Sequence, residues 1–108
     1  MLPKKLRIKR ELYKELLSGS RFVHSTHFSL RFKGIKSGNS LVGVSVSKKV
    51  AKSAVARNTT RRRVYSAVAL QIKNQQGYLL LFVAKKGAET LRGEKLETEI
   101  KQLFSELK

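Results

Sequence analysis

The chemistry-bearing residues of this chain crowd into one stretch, Val42 to Val68, and most of them are cations. Lys48 and Lys49 follow a run of alternating valines, Lys52 comes soon after, and Arg57, Asn58, Arg61, Arg62 and Arg63 close the block. These are phosphate-binding groups. A guanidinium fork matches two phosphate oxygens, and an ammonium acts as a point charge. Arg57 and Asn58 are expected at a helix start, where unsatisfied backbone N–H groups and the helix dipole favour anions. Arg61 and Arg62 lie one turn further along the same helix. Asn58 adds a neutral donor and acceptor suited to a sugar or base edge. Such a helix is built to hold RNA, although its residues do not say which RNA.

Groups for bond breaking are missing. Protein-based hydrolysis needs a base, a metal site or a nucleophile network. The two histidines, His24 and His27, have no acidic residue near them in sequence and are expected to be ordinary surface or phosphate-contacting side chains. No carboxylate pair suggests two-metal chemistry. Catalytic and metal-ligating residues are therefore expected to be absent.

The charge balance agrees. Lys and Arg number 24 against 7 Asp and Glu, a formal net charge of +17. No acid occurs between positions 16 and 88, whereas the last twenty residues mix both signs. One basic face and one neutral back follow. Solvated surfaces normally mix signs, and a membrane-surface protein would favour one long basic amphipathic helix. Nucleic acid is the better partner. No stretch has the length and apolarity of a membrane span, and no small-molecule substrate is implied. The absence of cysteine suits a reducing, cytoplasmic compartment.

Around this block the chain reads as one domain over residues 1–108, with a basic N-terminal arm at 1–8. Leu12, Tyr13, Leu16 and Leu17 predict a short helix over 9–18, stopped by Gly19. Arg21 to Thr26 reads as a connector. Phe28, Leu30 and Phe32 alternate with Ser29, Arg31 and Lys33, and Val42, Val44 and Val46 alternate with Gly43, Ser45 and Ser47. Two such runs joined by the turn at 36–40 predict an antiparallel hairpin with one apolar face. Its other face, small, polar and basic, leaves room for a strand of nucleic acid.

Residues 48–58 read as a basic connector and 57–73 as a helix whose Val64, Val68 and Ile72 face inward. The run Tyr78-Leu79-Leu80-Leu81-Phe82-Val83-Ala84 suits a central strand buried on both faces. Leu96, Ile100, Leu103, Phe104 and Leu107 predict a last helix over 91–107. The order α-β-β-α-β-α, with both long helices on one side of a sheet, makes a small two-layer α/β sandwich of the α+β class.

The block resembles the signature of the bacterial ribonuclease P protein family, in which a strand ends in Ser-Lys-Lys and Arg-Asn-x-x-(Lys/Arg)-Arg follows in a helix. Here these are Val46-Ser47-Lys48-Lys49 and Arg57-Asn58-Thr59-Thr60-Arg61-Arg62, and the opening Leu2-Pro3-Lys4-Lys5 matches too. The resemblance implies a mixed sheet of about four strands with a left-handed βαβ crossover. It implies an accessory subunit of a ribonucleoprotein endoribonuclease that matures the 5′ end of tRNA. Ribonuclease P RNA would carry the catalysis with Mg²⁺ bound to the RNA, and Lys48, Lys49, Lys52, Arg57, Asn58, Arg61, Arg62 and Arg63 would contact that RNA. A cleft holding Tyr13, Leu17, Arg31 and Ser45 would take the single-stranded 5′ leader of precursor tRNA. This chain departs from the family pattern at Tyr65, where another arginine is common, and at Leu17 and Arg31, where aromatics are frequent. The alternatives from other classes are a ribosomal or other structural RNA-binding protein and a stand-alone nuclease.

Overall fold

The computed structural model describes residues 6–35, 40–72 and 77–107. Its elements are α1 (Arg10–Leu17), β1 (Arg21–His24), β2 (Phe28–Gly34), β3 (Leu41–Ser45), α2 (Ala54–Ala69), β4 (Tyr78–Ala84) and α3 (Gly93–Ser105), with a 3-10 turn at Ala88–Thr90 before α3. The strands form one mixed sheet in the spatial order β1-β2-β4-β3. β1 with β2 and β2 with β4 are antiparallel, and β3 lies parallel to β4, with α2 as the crossover between them. The α/β sandwich expected from the sequence is present.

Alternation decides which side chains face which layer. Phe28, Leu30 and Phe32 of β2, Val42 and Val44 of β3, and Leu80 and Phe82 of β4 are buried against α2 and α3. Phe82 sits at the centre, edge-to-face with Phe28 and with Phe104 of α3. α3 contributes Leu96, Ile100, Leu103 and Phe104, the apolar stripe read from the sequence. α1 takes the opposite face of the sheet, where Leu16 and Leu79 are buried with Ile8.

The hairpin expected between residues 27–33 and 41–47 does not form. β4 lies between β2 and β3, each of which pairs with it instead. The reason is burial: β4 is apolar on both faces, so the centre of the sheet is where it removes most apolar surface from water. The hairpin that does form joins β2 to β1, in the segment expected to be a connector, and Ser25 N–H donates to Phe28 C=O to close its turn. Of the turn expected at 36–40, only Ser40 lies among the described residues.

The arm expected at 1–8 is described from Leu6 onward. There it is laid along the outer edge of β3: Arg7 bridges Val42, and Ile8 N–H donates to Val42 C=O at 2.9 Å. The Arg7 guanidinium lies over the ring of Tyr65 on α2, 4.6 Å from its centroid. Tyr65 thus binds a cation of its own chain where a further arginine would have repelled it.

Candidate nucleic-acid interface

The basic block begins after β3 in a tight turn, where Ser47 C=O accepts hydrogen bonds from the N–H groups of Val50 and Ala51. Lys48, Lys49 and Lys52 project from it into solvent. α2 then starts at Ala54, not at Arg57 as the sequence reading expects. Ser53 is the N-cap, its hydroxyl accepting from Ala56 N–H at 3.0 Å. A serine cap satisfies one of the free N–H groups of a first turn. The first turn, Ala54-Val55-Ala56, lacks the apolar period that would have revealed it.

This shift changes what the arginines do. Arg57 lies one turn inside the helix, and its Nη1 donates to Ala51 C=O at 3.1 Å and to Lys52 C=O at 2.9 Å. It ties the lysine-bearing loop to the helix. Arg61 donates to Asn58 Oδ1, so these two side chains form one unit on the helix surface. Arg62 is exposed, and Arg63 reaches the 3-10 turn, donating to Glu89 C=O at 3.0 Å. None of the four is neutralised: among the described residues the ion pairs are His27–Glu99 and Lys33–Glu15. Carbonyl partners orient a guanidinium without cancelling its charge. The strip from Lys48 to Arg63 therefore keeps its full positive field and can offer charge-assisted hydrogen bonds to phosphate oxygens. On its flank a groove of about 620 Å³ runs between α2 and α3, lined by Arg62, Arg63 and Arg92 among others.

The four cleft residues expected from the sequence lie on the other face of the sheet or on the helix that covers it. Strand register lays out this face in rows. One row crosses the sheet as Phe22, Arg31, Leu81, Gly43; the next as His24, Ser29, Val83, Ser45. Adjacent strands are roughly 4.8 Å apart, so each row spans roughly 15 Å. α1 crosses the Gly43 end. The Tyr13 hydroxyl rests so close over Gly43 that a Cβ there would fall 2.6 Å from it. Burial, reinforced by Tyr65, holds the Tyr13 phenol above its ordinary pKa, so it stays neutral. Leu17, one turn on, is 61 % exposed at the rim, and Ser45 is open to solvent.

At the far end stand Phe22, which the sequence reading misses because it takes β1 for a connector, and His24, expected only as an ordinary surface or phosphate-contacting side chain. Phe22 is 49 % exposed, and the Arg31 guanidinium lies over its ring at 4.6 Å. His24 is parallel to Phe22, with ring centroids 5.9 Å apart, and is hydrogen-bonded to Ser29 Oγ at 2.8 Å. The alternation of Phe22 and His24 with Arg21 and Val23 was the available signal, only four residues long.

His27, expected to be an ordinary surface or phosphate-contacting side chain, is half-buried and engaged by Glu99. Its backbone N–H donates to Glu99 Oε2 at 2.7 Å, and its Nδ1 is 2.8 Å from Oε1. Ser25 Oγ donates to the same carboxylate. Burial alone would raise the Glu99 pKa, but hydrogen bonds from His27 and Ser25 outweigh it and hold the carboxyl below its ordinary value. Lys85 Nζ donates to Ser25 C=O, which closes the fastening of the β1–β2 turn.

The chain matches the protein family described as Ribonuclease P over residues 2–108. It is 32 % identical to the ribonuclease P protein component of Synechococcus sp. (strain JA-2-3B'a(2-13)), over 96 % of this chain and 83 % of that one. Identity is also 32 % to the corresponding protein of Geobacter sp. (strain M21), over 94 % and 86 %. Among solved structures, the Staphylococcus aureus RNase P protein superposes with a TM-score of 0.80 at 19 % identity, covering 93 % of both chains. The Thermotoga maritima RNase P protein gives 0.83 at 16 %, covering 94 % of this chain and 97 % of that one. At such identities the structural likeness is one of fold.

Proposed function

This chain belongs to the ribonuclease P protein family, the accessory subunit of an endoribonuclease ribonucleoprotein, and from that premise we propose that its two surfaces take two RNAs. The strip formed by Lys48, Lys49, Lys52, Asn58, Arg61, Arg62 and Arg63 docks on ribonuclease P RNA, with Arg57 holding its loop in shape. The sheet face under α1, with Tyr13, Leu17, Arg31 and Ser45, takes the single-stranded 5′ leader of precursor tRNA. Mg²⁺ bound by the RNA supplies the hydrolytic chemistry, and the polypeptide breaks no bond.

The observation that carries this reading is the state of the α2 arginines: Arg57, Arg61 and Arg63 are oriented by carbonyls and an amide, and among the described residues no carboxylate pairs with them or with Arg62. A surface of that kind needs a polyanion. Its charge lowers the repulsion between phosphates that Mg²⁺ would otherwise have to screen. Holding substrate and ribozyme on opposite faces of one small domain raises the effective concentration of each for the other. Family membership sets aside the ribosomal alternative.

Reconstitution tests it. The purified chain alone should cleave nothing, and with a bacterial ribonuclease P RNA it should lower the Mg²⁺ needed to process a leader-bearing precursor tRNA. Unchanged RNA activity at low Mg²⁺ after adding the protein would sink the reading.

A further inference from the structure

The sheet face ends at β1 in a feature that charge alone does not explain. A half-exposed phenylalanine on an edge strand is an apolar surface in water, and its cross-strand partner is a cation, not another apolar residue. The Arg31 guanidinium lies over the Phe22 ring, and its Nε is buried without a hydrogen-bond partner. Contact with the ring, rather than a full set of hydrogen bonds, accounts for where this guanidinium lies. His24 sets a second flat ring parallel to the first and is fixed there by Ser29. Three planar groups are thus held at one edge of a face whose other members are aliphatic or small, and among the described residues no carboxylate is paired with any of them.

We infer that Phe22, with His24 and Arg31, is a stacking platform for an unpaired nucleobase of single-stranded RNA lying across the sheet. This rests on the reading that the sheet face takes the leader, and it assigns the stacking to β1. Every base has a flat π face, so an exposed aromatic ring binds unpaired RNA with little regard to sequence. The guanidinium covers one face of the ring, offers its own outer plane to a base and brings a cation to the neighbouring phosphate. The rows of the sheet fix the direction. A strand of RNA entering beside α1 at Tyr13 crosses Leu81 or Val83, neither of which can stack, before it meets rings again at Phe22 and His24. The platform therefore grips one base at a set distance from the Tyr13 end.

The test is a scan of the leader with single abasic nucleotides, read as affinity of the reconstituted holoenzyme, with leaderless tRNA as the reference. The wild type should lose about fivefold or more at one leader position, the range expected for one base–aromatic contact. Phe22→Leu keeps an apolar side chain of similar reach but no π face. It should bind the intact leader about as weakly as the wild type binds the abasic one, and show no further loss at that position. Phe22→Trp should restore the penalty. It would also be the only tryptophan of the chain, and its fluorescence should be quenched by an unlabelled leader oligonucleotide. The abasic scan of the unmutated protein does not depend on any variant folding. If an abasic penalty persists undiminished in Phe22→Leu, the platform is refuted while the leader reading stands. If the wild-type holoenzyme does not distinguish leader-bearing from leaderless tRNA, that reading fails and the platform falls with it.

Discussion

Glu99 on α3 holds His27 at the start of β2 by both its side chain and its backbone N–H, across 72 positions of sequence. The same carboxylate accepts from Ser25. One half-buried acid thereby fastens the turn of the β1–β2 hairpin to the last helix. Among the described residues β1 pairs with no strand other than β2, so this fastening helps the β1–β2 ladder keep Phe22 and His24 in place relative to the rest of the sheet.

Glu99→Ala should therefore cost stability without touching the basic strip. Leaving these half-buried donors unmatched costs about 1 kcal/mol, which urea unfolding at neutral pH measures directly. The pH dependence has a definite sign. The folded-state carboxyl titrates below its ordinary value of 4.5. Its stabilisation is full above that value and is lost as the pH falls through the lower folded value. The gap between wild type and Glu99→Gln should close over that acidic range. A gap that stayed constant down to strongly acidic pH would show that charge plays no part.

Arg57 and Arg62 should separate although both belong to the same helix. Arg62→Ala removes an exposed cation. It should lower the salt slope of RNA binding by about one and change stability by no more than about 0.5 kcal/mol. Arg57→Ala frees two carbonyls and loosens the loop bearing Lys48, Lys49 and Lys52, so it should also destabilise the fold by about 1 kcal/mol. Arg57→Lys should not restore the loop, because an ammonium lacks the guanidinium's planar fork of donors. Binding across a salt series, together with thermal unfolding, distinguishes the two residues.

Gly43→Ala should displace Tyr13. The new Cβ would fall 2.6 Å from the Tyr13 hydroxyl and 3.3 Å from Leu81 Cδ1, so the ring must move and α1 with it. A loss of about 1–3 kcal/mol is expected for such overpacking. Tyr13→Phe removes the closest atom, and the double variant should recover part of the loss. Simple additivity of the two changes in a double-mutant cycle would deny the contact.

Phe82→Ala should be the most damaging single truncation, at about 3–5 kcal/mol. Its ring joins β2, β4 and α3, meeting Phe28 and Phe104 edge-on. An unfolding midpoint close to wild type would mean the core refills the space.

Side-chain faces were legible in the sequence and strand neighbours were not. The alternation of Phe28, Leu30 and Phe32 declared a buried face, and the unbroken run from Tyr78 to Ala84 declared a central strand. Alternation carries no information about which strand lies alongside, so two runs close in sequence were read as partners although β4 lies between them. Ser53 was a poor signal because no Glu or Gln follows at Ala56 to complete a capping box. The α2 cations were identified by type, but the carbonyls that orient Arg57 and Arg63 come from the loop before the helix and the turn before α3. Nothing in a periodicity links Glu99 to His27.

The short segment laid against β3 has one more consequence. An uncovered β3 would present Val42 C=O and its neighbours to any passing chain, and bare strand edges are where proteins join into fibres. Ile8 occupies that acceptor already. A second copy seeking a strand to extend is left with β1, four residues long and bearing Arg21. Residues 6–8 thus act as a selvedge, keeping the edge of β3 at Val42 from knitting to another chain.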